Sequence, residues 1–595
     1  MSKTSSSSQA LRWFPWVAIA VLLAVRLCHE WFGPDIWYHL ALGERIARTG
    51  ATQPADNLLL QQPAFVNVYW LFQLLVRGTF ALGGIVGVSA LFIACWFAAF
   101  ACWLRTTGAG RCAAWGVGLA LAVVLVCQTR FEERPEVFSF FFLALQIDAL
   151  ARWDLAAAPR RSALVSFTLV QVLWSNVHGY FVFGPLLVAA KLVSVAVGTP
   201  RADWPRVRPA WRGLWLLAVL TVVATLVSPF GLRNWTGVLT LWNFFGTMRH
   251  EVQEFLPPTG AFMALWTVKL FWLGWATTLL AALYVLVNAA RREAFALLLA
   301  AVGLWLSATS FRNIPLLVFF GAPLAAVVLQ RLAAFRPFEK LSALTVGAAA
   351  LGLAIGAVAG AFGPSSFGIR ESPAASPIHF AGYLRADGFR GTLFNHPADG
   401  GYLEFHFPAL RLYGDSRYVE AEPVREYFAA LRRPEAFRQL DERHHFDAAL
   451  FKITESRAVL LALATDPRWR LAYADLHRAL LVNLGSPAGA FARVRLLAFY
   501  RGEDLAVRAN GEAALQWAVL FAEANDPDDL LRLLHALGAA PRIPAAVIET
   551  GLRYGLAVRN APVLAAARTL RSKMIVAKPA DTEVIDRLLA QTTAP

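Results

Sequence analysis

The chain is short of charge. Of its 595 residues only 16% are Asp, Glu, Lys or Arg, where a soluble domain carries about 25%. An ordinary water-soluble globule is thereby excluded for most of the length. Cysteine is scarce as well: Cys28, Cys95, Cys102, Cys112 and Cys127 are the full set. No disulfide can form beyond residue 127, and metal-ligand spacing is absent. Small apolar fillers in a nonpolar interior suit these thiols best. The opening stretch "MSKTSSSSQALRWFPWVAIAVLLAVRLCHEWFG" lacks a small-x-small cleavage site, and Arg26 and His29 interrupt its end. It reads as an uncleaved first membrane helix.

What is abundant is apolar. Hydrophobic residues make up 57% of the chain, Trp alone contributing 21 positions, and runs near the membrane-spanning length of about 20 residues recur up to residue 360. The expected spans are 13–32, 84–104, 113–128, 136–152, 162–177, 180–197, 213–229, 262–288, 294–309, 313–330 and 341–362, about eleven in all. The fold class is an α-helical polytopic membrane protein with a C-terminal α/β domain and a helical tail.

The net charge of +15 is no nucleic-acid signal once its distribution is seen. Basic residues gather in alternate connections: Arg105 and Arg111; Arg152, Arg160 and Arg161; Arg201, Arg206, Arg208 and Arg212; Arg291 and Arg292; Arg331, Arg336 and Lys340. The positive-inside rule puts these in the cytoplasm with the N-terminus. The other connections and the C-terminal region then face outward. The expected location is the bacterial cytoplasmic (inner) membrane, multi-pass, with the C-terminal domain extracytoplasmic. A lipid bilayer is the expected environment and nucleic acid is not a partner.

The outward connections carry the chemistry. They are the long 33–83 loop, "QTRFEERPE", "SNVHGY", the segment from Ser228 to Gly260, and "SFRN". Asp35, His39, Glu132, Glu133, His178, Glu251, Glu254 and Arg312 all fall on this side. Ionisable groups at a membrane surface are costly and usually functional. In "GPDIWYHLALGERI", Gly33-Pro34 ends the first span and Asp35 suits the N-cap of a helix lying along the membrane. His39 follows at i+4 and can meet it. Residues 66–82 form a second apolar stretch, expected as a surface or re-entrant helix. If it spanned, the arginine alternation would fail.

"DIWYHLALGERIARTGATQPADN" resembles the first-loop motif of bacterial members of the GT-C superfamily of membrane glycosyltransferases. These include protein O-mannosyltransferases, aminoarabinose transferases and oligosaccharyltransferases. "WSNVHGYFVFGP", "SPFGLRN" and "GGYLEFHFPALRLYGDSR" are similar to other segments of such proteins, so the resemblance covers roughly residues 13–420. It implies an inverting transferase that takes a sugar from a polyprenyl-phosphate donor on the outer face of the membrane. The family's first-loop acid, catalytic or metal-binding, maps to Asp35. The second acid common in the family is missing, since Ile36 follows, which puts a divalent cation in doubt more than a base.

That chemistry needs a carboxylate to activate an acceptor hydroxyl and cations to stabilise the leaving phosphate. The catalytic candidates are Asp35, His39, Glu132 and Glu133. The substrate-binding candidates are Arg130, Arg134, His178 and Arg312, arginine suiting phosphate by its fork. Each has a plainer reading: an N-cap for Asp35, a packed interfacial histidine for His39, a solvated loop for 130–134, a turn residue for His178 and snorkelling for Arg312. Glu251 and Glu254 fit a solvated amphipathic face. The donor expected is a polyprenyl-phosphate-linked sugar. The acceptor (lipid, glycan or protein) and any metal are left open.

The expected domains are 1–362 in the membrane, a linker at 363–376, a small α/β domain at 377–495 and a helical tail at 496–595, without a firm repeat period. "GTLFNH", "LRLYGD" and "DAALFKI" are predicted strands, and "WRLAYADLHRALLVNL" a hairpin. Asp399, Asp415 and Arg417 lie near turns, where turn chemistry or acceptor binding explains them. Two other classes compete with an enzyme: a non-catalytic scaffold of envelope glycan assembly, which would drift at the acids, and a transporter, which would carry charge at mid-span.

Overall fold

The structure is a computed structural model describing residues 4–53, 60, 66–332, 339–359, 367–387, 389–417, 420–475, 477–486, 514, 517–519, 521–522, 527–538, 543–574 and 582–592. Arg336, the linker positions 363–366 and the expected domain junction at 495–496 lie outside them. The chain divides into two compact units, residues 1–54 with 64–371, and residues 55–63 with 372–595.

The first unit is helical: α1 (Thr4–Leu27), α2 (Asp35–Thr49), α3 (Trp70–Thr107), α4 (Ala113–Cys127), α5 (Glu136–Ala151), α6 (Arg161–Ser175), α7 (Phe183–Gly198), α8 (Trp204–Thr225), α9 (Arg233–Thr247), α10 (Trp266–Ala289), α11 (Ala294–Thr309), α12 (Ile314–Phe320), α13 (Ala322–Leu332) and α14 (Glu339–Val358). Four described helices are long and apolar enough to cross a membrane: Trp70–Thr107, Gly179–Gly198, Arg201–Thr225 and Trp266–Ala289. Phe311–Phe320 and Ala322–Leu332 form a further pair bent by 50°. Pro323, which has no N–H to give the preceding turn, lies just past that break. Shorter apolar helices are Trp13–Leu27, Ala114–Arg130, Ala294–Thr309 and Ala343–Val358. The exterior is greasy: Leu82 is 92% exposed and Val287 84%, as suits a lipid solvent and not water.

The stretch expected as a helix at 66–82 is the first part of α3. Gly84, at φ 56° and ψ −147°, separates it from the rest. A Cβ there would meet nothing, so the glycine serves conformation and not space. The stretch therefore does not continue straight into the next span.

Polar side chains hold the bundle from within, where water cannot. Gln146 donates to Gln171 at 3.0 Å, and Gln171 donates to the Phe181 carbonyl at 2.9 Å. The basic connections gather at one end. Arg105 and Arg152 both pair with Asp148. Pro159 lies against Gly213, and the Arg291 carbonyl against Gly198. The acid-bearing connections meet one another in the site described below.

The second unit contains α15 (Ile378–Asp387), β1 (Thr392–Asn395), α16 (Pro397–His406), β2 (Arg411–Leu412), α17 (Ala421–Arg432), α18 (Pro434–His444), β3 (Ala448–Lys452), α19 (Arg457–Ala464), β4 (Trp469–Ala474), β5 (Arg478–Asn483), α20 (Pro527–Leu537), α21 (Ala545–Ala557), α22 (Ala561–Lys573) and α23 (Glu583–Gln591). The sheet order is β2-β1-β3-β5-β4. β1 runs parallel to β2 and β3, while β5 runs antiparallel to β3 and β4. All the predicted strands are present, the hairpin included.

Tail helices share a core with the sheet. Phe394, Phe437 and Phe451 belong to one cluster with Trp517, Leu534, Ile548 and Val563. Asp399 and Asp415 are buried, and Asp415 also accepts the Arg417 N–H at 2.9 Å, as a turn residue does. Asp399 is forked onto Arg478 at 2.6 and 2.9 Å with both side chains fully buried. Arg417 bridges Asp415 at 2.5 Å and Glu404 at 3.2 Å. These ion pairs brace the interior of the second unit.

Candidate functional site

The site starts at the break after α1. Pro34 takes the N-cap position of α2, with φ −71° and no side-chain cap. Asp35 is thus the first helical residue, one place later than expected, where the positive end of the helix still favours its charge. Nor does α2 lie on the membrane by one apolar face. Residues 36 to 43 are buried on all sides, so the helix is packed within the protein. It presses on α3: a Cβ on Gly43 would lie 2.3 Å from the Gln73 carbonyl oxygen. Only glycine permits that approach, and the approach sets where Asp35 stands.

Four connections converge on a charged cluster. Arg134 Nη1 is 3.5 Å from Asp35 Oδ2 and 2.8 Å from Glu254 Oε2, and its Nε is 2.8 Å from Glu132 Oε2. Arg130 Nε donates to Glu136 at 2.6 Å, and its Nη1 reaches Glu254 at 3.3 Å. Arg312 bridges Glu136 at 3.1 Å and Glu254 at 3.8 Å, and lies over the Phe245 ring at 5.0 Å. Three guanidiniums, Arg130, Arg134 and Arg312, thus face four carboxylates, Asp35, Glu132, Glu136 and Glu254. The cluster has a dry half and a wet half. Arg130 and Glu136 are each 2% exposed, whereas Asp35 is 21%, Glu254 25% and Glu132 30% exposed. Only the wet half can meet a substrate.

Glu254 is the hub. Burial would raise its pKa, but Arg134, Arg312 and Arg130 outweigh that and hold the carboxyl well below the usual range. Its reading as part of a solvated face is therefore wrong. Ser310 Oγ donates to the Glu254 carbonyl at 2.8 Å and fixes this loop to the next. Glu136 was missed by the sequence reading. Its one signal is an acid opening a helix directly after Pro135, inside "RFEERPE". Tyr180, whose hydroxyl donates to Asn313 at 2.9 Å, and Ser139 carried no signal at all.

The other candidates sit deeper. His39 is 1% exposed, with Nδ1 3.4 Å from the Gln73 amide and its ring between Tyr38, Tyr69 and Phe72. Gln73 and Asn67 hold each other reciprocally at 2.8 and 3.0 Å. His178 Nδ1 accepts the Tyr180 N–H at 3.3 Å and lies 2.8 Å from Ser139 Oγ. Burial pushes its pKa down to about 3, so the ring is neutral. Glu133 is 3% exposed, and its Oε2 has no hydrogen-bond partner among the described residues. Burial pushes this carboxyl up to about 8. The acids Glu132 and Glu133, adjacent in sequence, thus have opposite environments.

A divalent cation does not fit this cluster. No group of three or more metal-ligating side chains stands together among the described residues. Asp35, Glu132, Glu136 and Glu254 are interleaved with guanidiniums that repel a metal ion.

No protein-family model and no curated protein sequence matches the chain. Solved structures do. The archaeal oligosaccharyltransferase AglB from Archaeoglobus fulgidus, in complex with an inhibitory peptide and a dolichol-phosphate, is similar at TM-score 0.55 and 11% identity, over 91% of this chain and 86% of that one. The apo form of the Archaeoglobus fulgidus oligosaccharyltransferase is similar at TM-score 0.51 and 12% identity, over 77% and 71%. ArnT from Cupriavidus metallidurans, bound to undecaprenyl phosphate, gives TM-score 0.46 and 16% identity, over 81% and 99%. At such identities the first two establish the fold alone, which is that of the archaeal oligosaccharyltransferase, in line with the resemblance of the first-loop motif.

Proposed function

We propose that the chain is a membrane glycosyltransferase. It moves a sugar from a polyprenyl-phosphate donor to a lipid, glycan or protein acceptor at the outer face of the cytoplasmic membrane. The carrying observation is Asp35: a partly exposed carboxylate 3.5 Å from Arg134, in a charged wall where the acid-bearing loops of a GT-C fold meet. In this reading Asp35 accepts the acceptor hydroxyl proton as the new C1–O bond forms. The C1–O bond to phosphate breaks, its electron pair leaves with the phosphate, and the anomeric centre inverts. Arg134 and Arg312, 16% and 15% exposed, meet the developing charge, while buried Arg130 positions them through Glu136 and Glu254. Glu132 holds Arg134. Glu133, His39 and His178 are each buried away from the substrate. The arginine pattern supports about eleven spans, with the N-terminus in the cytoplasm and the second unit outside.

The test is glycolipid and surface-glycan profiling of a deletion strain carrying the wild-type chain or Asp35→Asn. Loss of a general base costs about 10²–10⁴-fold in transfer rate. Wild-type transfer from the Asn variant would end the assignment.

One observation favours a second reading, a non-catalytic scaffold. Every guanidinium of the cluster already has carboxylate partners, and none is reserved for phosphate. A scaffold would support glycan assembly unchanged with Asn at position 35, while the deletion strain lost it.

A further inference from the structure

The cluster arginines all have carboxylate partners, so a phosphate at rest calls for a further cation beside them. Arg26, which interrupts the polar end of the first span, has no hydrogen bond or ion pair among the described residues, and its Nε is buried without a partner. It lines two cavities, of about 290 and 310 Å³. Gln128 and Thr129 line both as well, so the two meet at these three side chains. The Gln128 amide is likewise uncommitted among the described residues. Leu22, Leu125, Trp266 and Leu353 wall one cavity, and Val25, Phe32 and Phe131 wall the other, where His29 and Glu132 also stand.

An unpaired guanidinium beside a free amide, within apolar walls, matches an anionic head on a hydrocarbon chain. Simple snorkelling would carry the whole guanidinium out to water, whereas here Nε is enclosed. The cavity also adjoins the charged cluster. Glu132 lines it and pairs ionically with Arg134, whose other end faces Asp35.

The geometry points to Arg26, with Gln128, as the binding site for the phosphate of a single-chain isoprenoid lipid. This rests on the donor chemistry proposed above, although binding is measurable whether or not transfer occurs. The guanidinium takes the phosphate oxygens, the amide donates a further hydrogen bond, and the apolar walls take the first isoprene units. An anion held there is linked to the proposed base through Glu132 and Arg134.

The experiment uses the full chain in phosphatidylcholine nanodiscs, with labelled farnesyl phosphate as probe. Farnesol, inorganic phosphate and phosphatidylglycerol serve as competitors. Loss of a charge-assisted contact weakens binding about tenfold to hundredfold, expected for Arg26→Gln, with partial recovery in Arg26→Lys and a smaller loss in Gln128→Leu. Thermal unfolding of each variant identifies any that misfold, and Gln128→Leu then carries the test. Unchanged affinity in both Arg26→Gln and Gln128→Leu overturns the proposal. So does competition by farnesol, by inorganic phosphate or by phosphatidylglycerol as strong as that by unlabelled farnesyl phosphate. Normal transfer in Asp35→Asn alongside lost binding in Arg26→Gln would sink the base assignment and leave the phosphate site standing.

Discussion

Glu136→Gln is the sharpest probe of the charged cluster. The substitution keeps volume and shape and removes one charge. Glu136 and Arg130 are each 2% exposed, so water cannot replace what is lost. Arg130 keeps one ionic contact, to Glu254 at 3.3 Å, and Arg312 keeps its 3.8 Å contact to the same carboxylate. Removing one partner of a buried pair costs about 3–5 kcal/mol, because the other charge stays buried and uncompensated. The surviving Glu254 contacts put the expected loss near the lower end, about 3 kcal/mol. Arg130→Met alone should cost a similar amount. The double variant should cost far less than the sum, since it buries no orphan charge. Equilibrium unfolding in mixed micelles, followed by far-UV circular dichroism, measures all three. A loss below about 1 kcal/mol for Glu136→Gln, or strict additivity in the double variant, would refute the buried ion-pair argument.

Two further outcomes follow from the same geometry. Burial holds the Glu133 carboxyl up near a pKa of about 8, above its ordinary 4.5, so its stabilising contribution is complete below pH 4.5 and is lost as pH rises through 8. His178, at about 3 against an ordinary 6.5, works oppositely: its contribution is complete above pH 6.5 and lost as pH falls toward 3. Between pH 6.5 and 8 only Glu133 of the two acts, and Glu133→Gln should remove a downward slope of up to about 1.4 kcal/mol per pH unit there. Parallel pH–stability curves for variant and wild type would contradict this. At Gly43 a side chain meets the Gln73 backbone at 2.3 Å and Arg77 Cβ at 2.8 Å. Gly43→Leu should cost about 1–3 kcal/mol and abolish transfer by displacing α2, checked by thermal unfolding beside glycan profiling; full activity would show that α2 placement is unimportant.

The sequence alone determined the nonpolar class of the first unit, the grouping of its connections and the strands of the second. Those properties are local or periodic: apolar run length, arginine alternation and period-two patterning survive in one dimension. It also brought Asp35, Glu132, Arg134 and Arg312 onto one face, because all occupy connections of the same parity. Only the tertiary structure decided which charges neutralise which. Glu254 lies 120 residues from Arg134 in the chain, and Arg312 lies 176 from Glu136, so no spacing rule joins them. Burial was equally out of reach. Glu132 and Glu133 are identical neighbours in sequence, yet packing leaves one 30% exposed and the other 3%. The environment of an ionisable group is set by what the fold places around it, and for these residues that comes from distant helices.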